Sequence, residues 1–306
     1  MGKHVIVGAG QVGRHLAELL ATQGHDITVV TRSGSGPENV TRIAADATDR
    51  DRLIEITKGA GALYNVAAPP YTRWPREWPP LAAALLATAE ATGAVLVTAS
   101  NLYIYGRVDG PMTADLPAAP VGHKGRVRAK MWSDALAAHE AGRARVTEFR
   151  AADYFGPGGR GPDPGRHPVR AAPAGRQARD VPRRPGRPAQ LDLSPRRGPR
   201  ARYRRHRRAG PGPRLERPDE PAAVRPGPGR TAERARGGSR ARIARMPRWV
   251  FNAIGVVSPL VRELRETRYQ FDRPFVVDSS AFESTFGIAP TPIDEALEAT
   301  LEFYRP

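Results

Sequence analysis

Residues 8–13 read Gly-Ala-Gly-Gln-Val-Gly, between an apolar run, "HVIV", and an amphipathic stretch, "QVGRHLAELLATQGH". This placement constrains the fold more than any other feature. A short β-branched run reads as a strand buried on both faces. Val12, Leu16, Leu19 and Leu20 fall on one face of the helix that follows, and Gly24 stops it. In such a strand–turn–helix unit Gly8 permits the tight turn and Gly10 lets a pyrophosphate approach the backbone. Gly13 lets helix and strand pack closely, and the helix N-terminus faces the phosphates. Gly10, Gln11 and Val12 then border a dinucleotide. A glycine-rich turn alone is weak evidence, and its setting supplies the rest.

Alternation continues along the chain. "DITVVTR" is a second strand, "VTRIAAD" a third ending at Asp46, and "DRDRLIEITKG" a helix capped near Asp49. "ALYNVAAPPY" is a fourth strand running into a loop, "WPPLAAALLATAEATG" a helix and "AVLVTAS" a fifth strand. "GRVRAKMWSDALAAHEAG" is a long helix and "RVTEFRAADYFGPG" a sixth strand with its exit loop. Repeated β-α units with buried strands predict an α/β fold, a doubly wound parallel sheet of Rossmann type. Ligands bind such sheets at the carboxyl ends of the strands, which here carry Asp46, Asn65–Ala68, Ser100–Asn101 and 151–155. The second strand ends in Thr31-Arg32-Ser33, with no carboxylate for a ribose 2′-hydroxyl. Arg32 and Ser33 suit a 2′-phosphate, so NADP(H) is expected over NAD(H). The alternative is that Arg32 is a solvated loop residue.

The segments "GAGQVG", "ADATD", "YNVAAPPY", "ASNLYIYG" and "RAADYFGPG" together resemble the NAD-dependent epimerase/dehydratase family, the extended and atypical short-chain dehydrogenases/reductases. The resemblance covers residues 4–158 and, more loosely, 246–304. It implies that Asp46 and Ala47 line the adenine, that Val66, Ala67 and Ala68 lie along the cofactor, and that the "YFGPG" turn borders nicotinamide and substrate. It also implies a Tyr acid/base, a Lys four residues later that holds the ribose, and a Ser or Thr on the substrate oxygen. Lys130 stands in the right helix, but Arg126 occupies the place four residues earlier, and the usual hydroxyl position is Asn101, with Ser100 one place off. Candidate catalytic residues are therefore Lys130, Ser100 and Tyr105, with Tyr103 and Tyr154 as further phenols. A phenol near pKa ~10 needs a cation beside it to act near neutral pH, and Lys124, Lys130 or Arg126 could supply one. These tyrosines read equally as packing residues. The seven histidines show no metal-ligand spacing, so no metal is expected.

The net charge of +17 would suggest nucleic acid, but its distribution argues against that. Residues 157–245 hold 25 arginines, no lysine and seven acids, leaving 23 of the 48 basic and 24 of the 31 acidic residues for the rest. Within this segment only Ser194, Tyr203, Thr231, Ser239 and Ile243 fall outside the ten amino acids whose codons begin with G or C. A GC-rich gene read with its third codon base in first place gives that bias. Read back one frame, "QLDLSPRRGPRARY" (190–203) is compatible with an apolar strand-and-helix sequence. Two mutually compensating frameshifts explain the segment better than a basic tail or a proline-rich linker. It holds too few apolar residues to offset its ordering entropy, so it is expected to be disordered, and its loss should expose apolar surface on the core and the C-terminal helices.

Order returns after the segment. In "MPRWVFNAIGVVSPLVRELRETRYQF" Pro259 breaks or kinks a helix, and "PFVVDSSAFESTFG" reads as strand, then helix capped at Asp278. "TPIDEALEATLEFYR" takes Thr291 as cap, with Ile293, Leu297 and Leu301 as its buried face. The expected domains are an NADP-binding Rossmann domain at 1–156, the aberrant segment at 157–245, and the remainder of a substrate domain at 246–306. There is no cysteine, no membrane-spanning apolar run and no room for a leader before the first strand, so a cytoplasmic protein is expected. The expected function is hydride transfer on a small metabolite or nucleotide sugar, impaired by the segment. A non-catalytic NADP-sensing protein is the alternative, nucleic-acid binding a distant third, and the small-molecule substrate is the expected partner.

Overall fold

The computed structural model describes residues 1–152, 254–272 and 275–303. The expectations of disorder and frameshift over 157–245, the Tyr154 candidate and the "YFGPG" turn lie outside the described residues. Six strands form one parallel sheet: β1 (Lys3–Val7), β2 (Asp26–Thr31), β3 (Thr41–Ala44), β4 (Ala60–Asn65), β5 (Val95–Asn101) and β6 (Val146–Ala151). Their order is β3-β2-β1-β4-β5-β6, the doubly wound arrangement predicted. The chain reverses direction across the sheet between β1 and β4, so the loop leaving β1 lies at the topological switch point.

Both faces of the central strands are buried. Val5, Val7 and Leu63 pack on one side with Leu53, Leu81 and Leu85, and Ile6, Val29 and Tyr64 on the other with Leu16 and Leu20. The helices between strands are α1 (Gln11–Thr22), α2 (Arg50–Thr57), α3 (Trp74–Thr92) and α4 (His123–Glu140). Asp49 caps α2 as expected, accepting the Arg52 N–H at 3.1 Å. Two details differ from the sequence reading. The face of α1 that is buried is Gly13, Leu16, Ala17 and Leu20, with Val12 and Leu19 on its flanks, because Gly13 is where the helix touches the sheet. α3 begins at Trp74, one turn before Trp78, and carries Pro79 and Pro80 inside. The lost backbone bonds are offset by full burial of both tryptophans, whose rings meet edge to face at 5.9 Å.

The C-terminal residues supply α5 (Pro259–Thr267), a single turn α6 (Tyr269–Asp272), α7 (Ser280–Phe286) and α8 (Ile293–Phe303). Residues 254–257 are helical and Ser258 is not, so the helix breaks at Pro259 as expected, and Pro259 starts α5 behind a Ser258 cap. Asp278 accepts the Ser280 N–H at 2.9 Å, while Ser279 is the residue at the cap of α7. The strand expected before it is one parallel bridge, Met112 with Val277. The buried face expected of α8 is absent: Ile293 is 49% exposed, and Leu297 and Leu301 are half-buried. Val256 and Val257 just before α5, and Phe271, Phe286 and Phe303 on the helices, are also more than half exposed, so this part of the chain displays apolar surface. The sheet domain does not; its large exposed apolar side chains among the described residues are Met1 and Val121.

Candidate functional site

The strand carboxyl ends open into a cavity of about 730 Å³. Its wall includes Gly10, Gln11 and Val12 from the β1–α1 turn, Val66–Ala68 after β4, Ser100 and Asn101 at the end of β5, and Arg128 from α4. Pro259, Gln270 and Phe275 close it from the C-terminal segment. The turn has the geometry its glycines require. Gly8 has φ +108°, and a Cβ there would lie 2.9 Å from the Ala67 backbone. A Cβ on Gly13 would lie 2.1 Å from the Gly8 carbonyl oxygen, while one on Gly10 would meet nothing within 4 Å. Gly8 and Gly13 thus serve the fold beneath the cavity, and Gly10 leaves backbone open to a ligand. Gly10 is also the N-cap of α1, so no side chain covers the helix terminus. Two buried polar atoms stand without a partner at the strand ends, Asn65 Oδ1 and Ser100 Oγ. These features fit a dinucleotide.

Beyond β2 and β3, where the adenine is expected, the residues are looser. Arg32 and Ser33 are exposed beyond β2, and the Ser33 hydroxyl donates to Ser35 Oγ at 3.1 Å. Asp46 Oδ1 accepts both the Thr48 N–H and its hydroxyl at 2.9 Å, which holds the carboxyl below its usual range, and Arg32 adds to the effect. Ala47 is buried in the sheet core.

The structure changes the reading of α4. Lys130 is 73% exposed and paired with Asp134 at 2.6 Å, and Arg126 is exposed as well. Neither is part of the cavity wall. The inward positions are Lys124 and Arg128, one helical turn apart, on the opposite side from 126 and 130. Gly125 sets this register, since a Cβ there would lie 2.5 Å from the Tyr103 carbonyl oxygen, so α4 presses directly on the turn after β5. The inward pair at the spacing of the expected Tyr and Lys is therefore Lys124 and Arg128. The guanidinium of Arg128 sits over the rings of Trp78 and Trp74, at 4.1 and 4.8 Å.

Tyr105 is also displaced from the chemistry. It is buried with Leu102, Ile104 and Met112, and its hydroxyl accepts from Arg150 at 2.7 Å. Tyr103 is the phenol in the cavity wall, beside Tyr71, with their hydroxyl oxygens 2.9 Å apart. Asn101 Oδ1 accepts the Tyr103 N–H at 3.2 Å, so the residue at the usual hydroxyl position holds the turn. Arg128, Tyr71 and Trp74 were not singled out as site residues from sequence. The spacing of Lys124 and Arg128 around Gly125 was the available signal.

Behind the cavity Lys124, 1% exposed, binds Glu263 and reaches Glu266 at 3.2 Å, both on α5. Its backbone N–H donates to Glu266 Oε1 at 2.7 Å. His123 lies 3.1 Å from Glu263 and 2.6 Å from Glu266. Burial pushes the Glu263 carboxyl up, but hydrogen bonding and charge from Lys124, with His123 beside it, hold it below its ordinary range. His123, Glu263 and Glu266 have the residue types and closeness of a metal site, within 4.8 Å, but the Lys124 ammonium already occupies the space between the carboxylates and pairs with both.

A doubly wound sheet with an open glycine-rich turn at its switch point defines a dinucleotide-binding protein. The profile of the NAD dependent epimerase/dehydratase family matches residues 4–178. The chain belongs to that family. The match runs past residue 157, where the Arg-rich composition begins, and does not extend to residues 246–304. No curated protein matches the chain. Among solved structures, UDP-glucose 4-epimerase from Brucella ovis in complex with NAD is 23% identical over 51% of this chain and 53% of its own, with a TM-score of 0.47. MoeE5 in complex with UDP-glucose and NAD is 26% identical over 52% and 57%, TM-score 0.44. UDP-glucuronic acid 4-epimerase from Bacillus cereus in complex with NAD is 19% identical over 51% and 58%, TM-score 0.44. The chain spans little more than half the length of these structures. Among the described residues no helix is long and apolar enough to cross a membrane.

Proposed function

We propose that this chain is a nicotinamide-dependent oxidoreductase of the epimerase/dehydratase type, taking NADP(H) in preference to NAD(H) and acting on a small metabolite or nucleotide sugar. The observation that carries the reading is the open backbone at Gly10 under the mouth of the cavity, with the uncapped start of α1 beside it. Gly10–Val12 would hold the pyrophosphate, and Val66–Ala68 would run along the dinucleotide. Arg32 and Ser33 would meet the 2′-phosphate. Arg128 would take the ribose-holding place foreseen for Lys130, as a fixed cation. When bound, the nicotinamide takes up and returns a hydride at a carbinol or carbonyl carbon of the substrate. Ser100 Oγ, buried in the cavity wall, is placed to donate to the substrate oxygen.

The Arg-rich residues 157–245 stand where the family continues its sheet and substrate lid, and we assign them to an out-of-frame reading that impairs turnover. Titration of the full chain with NADPH and NADH tests the cofactor. NADPH should bind at least tenfold more tightly, and Arg32→Glu should remove that difference. A preference for NADH would overturn the assignment.

A second reading, a non-catalytic NADP sensor, is favoured by one observation. The inward positions of α4 carry Arg128, which keeps its proton, and Lys124, which two carboxylates hold. Neither offers the helix acid/base of the family. Turnover by a frame-restored chain would exclude the sensor.

A further inference from the structure

With no acid/base where α4 lines the cavity, the proton must be handled elsewhere or not at all. The cavity wall holds one coupled pair of protic side chains, Tyr71 and Tyr103, with oxygens 2.9 Å apart. One phenol must donate and the other accept, so a proton is already shared between them. Tyr103 is 7% exposed and Tyr71 half-buried, so the pair leads from the cavity wall toward water.

Two cations face this pair from α4. Lys124 Nζ lies 5.7 Å from the centroid of the Tyr71 ring. The Arg128 guanidinium covers Trp74, whose ring is 5.2 Å from that of Tyr71 and 6.0 Å from that of Tyr103. Burial opposes ionisation of a phenol, while nearby positive charge favours it. Glu263 and Glu266 lie behind Lys124 and offset its charge, so the cation that bears on the pair is Arg128, which shares the cavity wall with both phenols. Backbone geometry fixes the position of the pair, because the Tyr103 N–H is held by Asn101 Oδ1 and its carbonyl is pressed by Gly125.

We propose that Tyr103 is the catalytic acid/base of this site, with Tyr71 as its proton relay to solvent. The proposal rests on the nicotinamide reading above. In oxidation of a carbinol the substrate O–H proton passes to the Tyr103 phenolate oxygen as the carbon–oxygen bond becomes double. The electron pair of the breaking C–H bond leaves with its hydrogen to the cofactor. Tyr103, now a phenol, gives its proton to Tyr71, and Tyr71 releases one to water. Reduction of a carbonyl runs the same transfers backwards. Ser100 Oγ orients the substrate oxygen and gives up no proton.

The test is an ultraviolet difference titration of tyrosinate on the full chain without ligand, compared with Tyr103→Phe and Tyr71→Phe. Both substitutions keep the ring, and far-ultraviolet circular dichroism checks that each variant folds. One tyrosine should ionise ahead of the others. That step should vanish in Tyr103→Phe and move up in Tyr71→Phe. Tyr64, which burial pushes up to about 12, ionises apart from it. Survival of the early step in Tyr103→Phe, or its absence from the parent, overturns the proposal. NADPH binding by the parent is read separately. Loss of binding by the parent would sink the cofactor reading and leave the titration to decide Tyr103.

Discussion

Replacing Lys124 by Met keeps the stem and deletes the charge. The ammonium is 1% exposed and contacts Glu263, Glu266 and, at 3.1 Å, the Glu263 carbonyl oxygen. The two carboxylates are 17% and 16% exposed, so water can re-solvate them only in part. Removing one partner from a buried ion pair costs about 3–5 kcal/mol, because the other charge stays desolvated. Here two like charges are left together, and His123 between them recovers part of the loss, which points to the lower end, about 3 kcal/mol. The cost falls on the joint between α4 and α5, not on the sheet. Among the described residues the segment is also held by the Met112–Val277 bridge, by Phe275 against Leu102, Ile104, Tyr105 and Met112, by α5 against Tyr71–Arg73, and by Phe149 with Phe282 at 5.8 Å. Limited proteolysis should therefore cut between 254 and 303 on the order of a hundredfold faster in the variant, at about 1.4 kcal/mol per tenfold. Adding Glu263→Gln and Glu266→Gln to Lys124→Met should restore most of the resistance, since no buried charge then remains unpaired. If Lys124→Met changes cleavage less than about fivefold, or if the triple variant is no better, the clasp is not what fastens this segment. Acid gives an independent check. The folded Glu263 carboxyl titrates below its unfolded value, so its stabilisation is complete above the unfolded pKa of ~4.3 and is lost as the pH falls through the lower folded value.

Three further outcomes follow from the same geometry. Gly13→Ala should lower stability by about 1–3 kcal/mol through collision with the Gly8 carbonyl, whereas Gly10→Ala should leave the melting curve in place and weaken NADPH at least tenfold; paired denaturation and binding titrations read both. The His4 imidazole is held below its ordinary value, first by burial and then by His25 and the chain terminus, so stability should fall as the pH drops below the unfolded ~6.5. Urea midpoints for His4→Gln should be flatter than the parent's across that window, and a parallel slope would refute the assignment. Tyr105→Phe removes the hydrogen bond from Arg150 and should cost about 1 kcal/mol with NADPH affinity unchanged; a cofactor defect would return Tyr105 to the site.

How much of this was legible depended on whether a residue's environment was encoded near it. β1, β2 and β4 read correctly because burial on both faces demands unbroken apolar runs, and the turn at 8–13 because close approach demands glycine. α4 did not read, for a physical reason. Its first turns carry basic residues at 123, 124, 126, 128 and 130, so charge marks no face, and counting back from Lys130 chose the solvent side. What sets the inward face is Gly125 against the Tyr103 carbonyl, a contact between residues 22 apart. The inward lysine is then made tolerable by carboxylates about 140 positions away, beyond the arginine-rich segment. α7 and α8 failed differently. Their apolar positions were visible, but the surface meant to cover Ile293 and Phe286 is not encoded in either helix, and both remain about half exposed. The same dependence governs the site. On the proposed function its cofactor half draws mainly on residues 8 to 68, which stand on local sequence, with Arg128 added from α4, while its catalytic half needs α4 clasped to α5. If residues 157–245 are out of frame as proposed, the first half can be retained and the second lost, and cofactor binding and turnover should then separate.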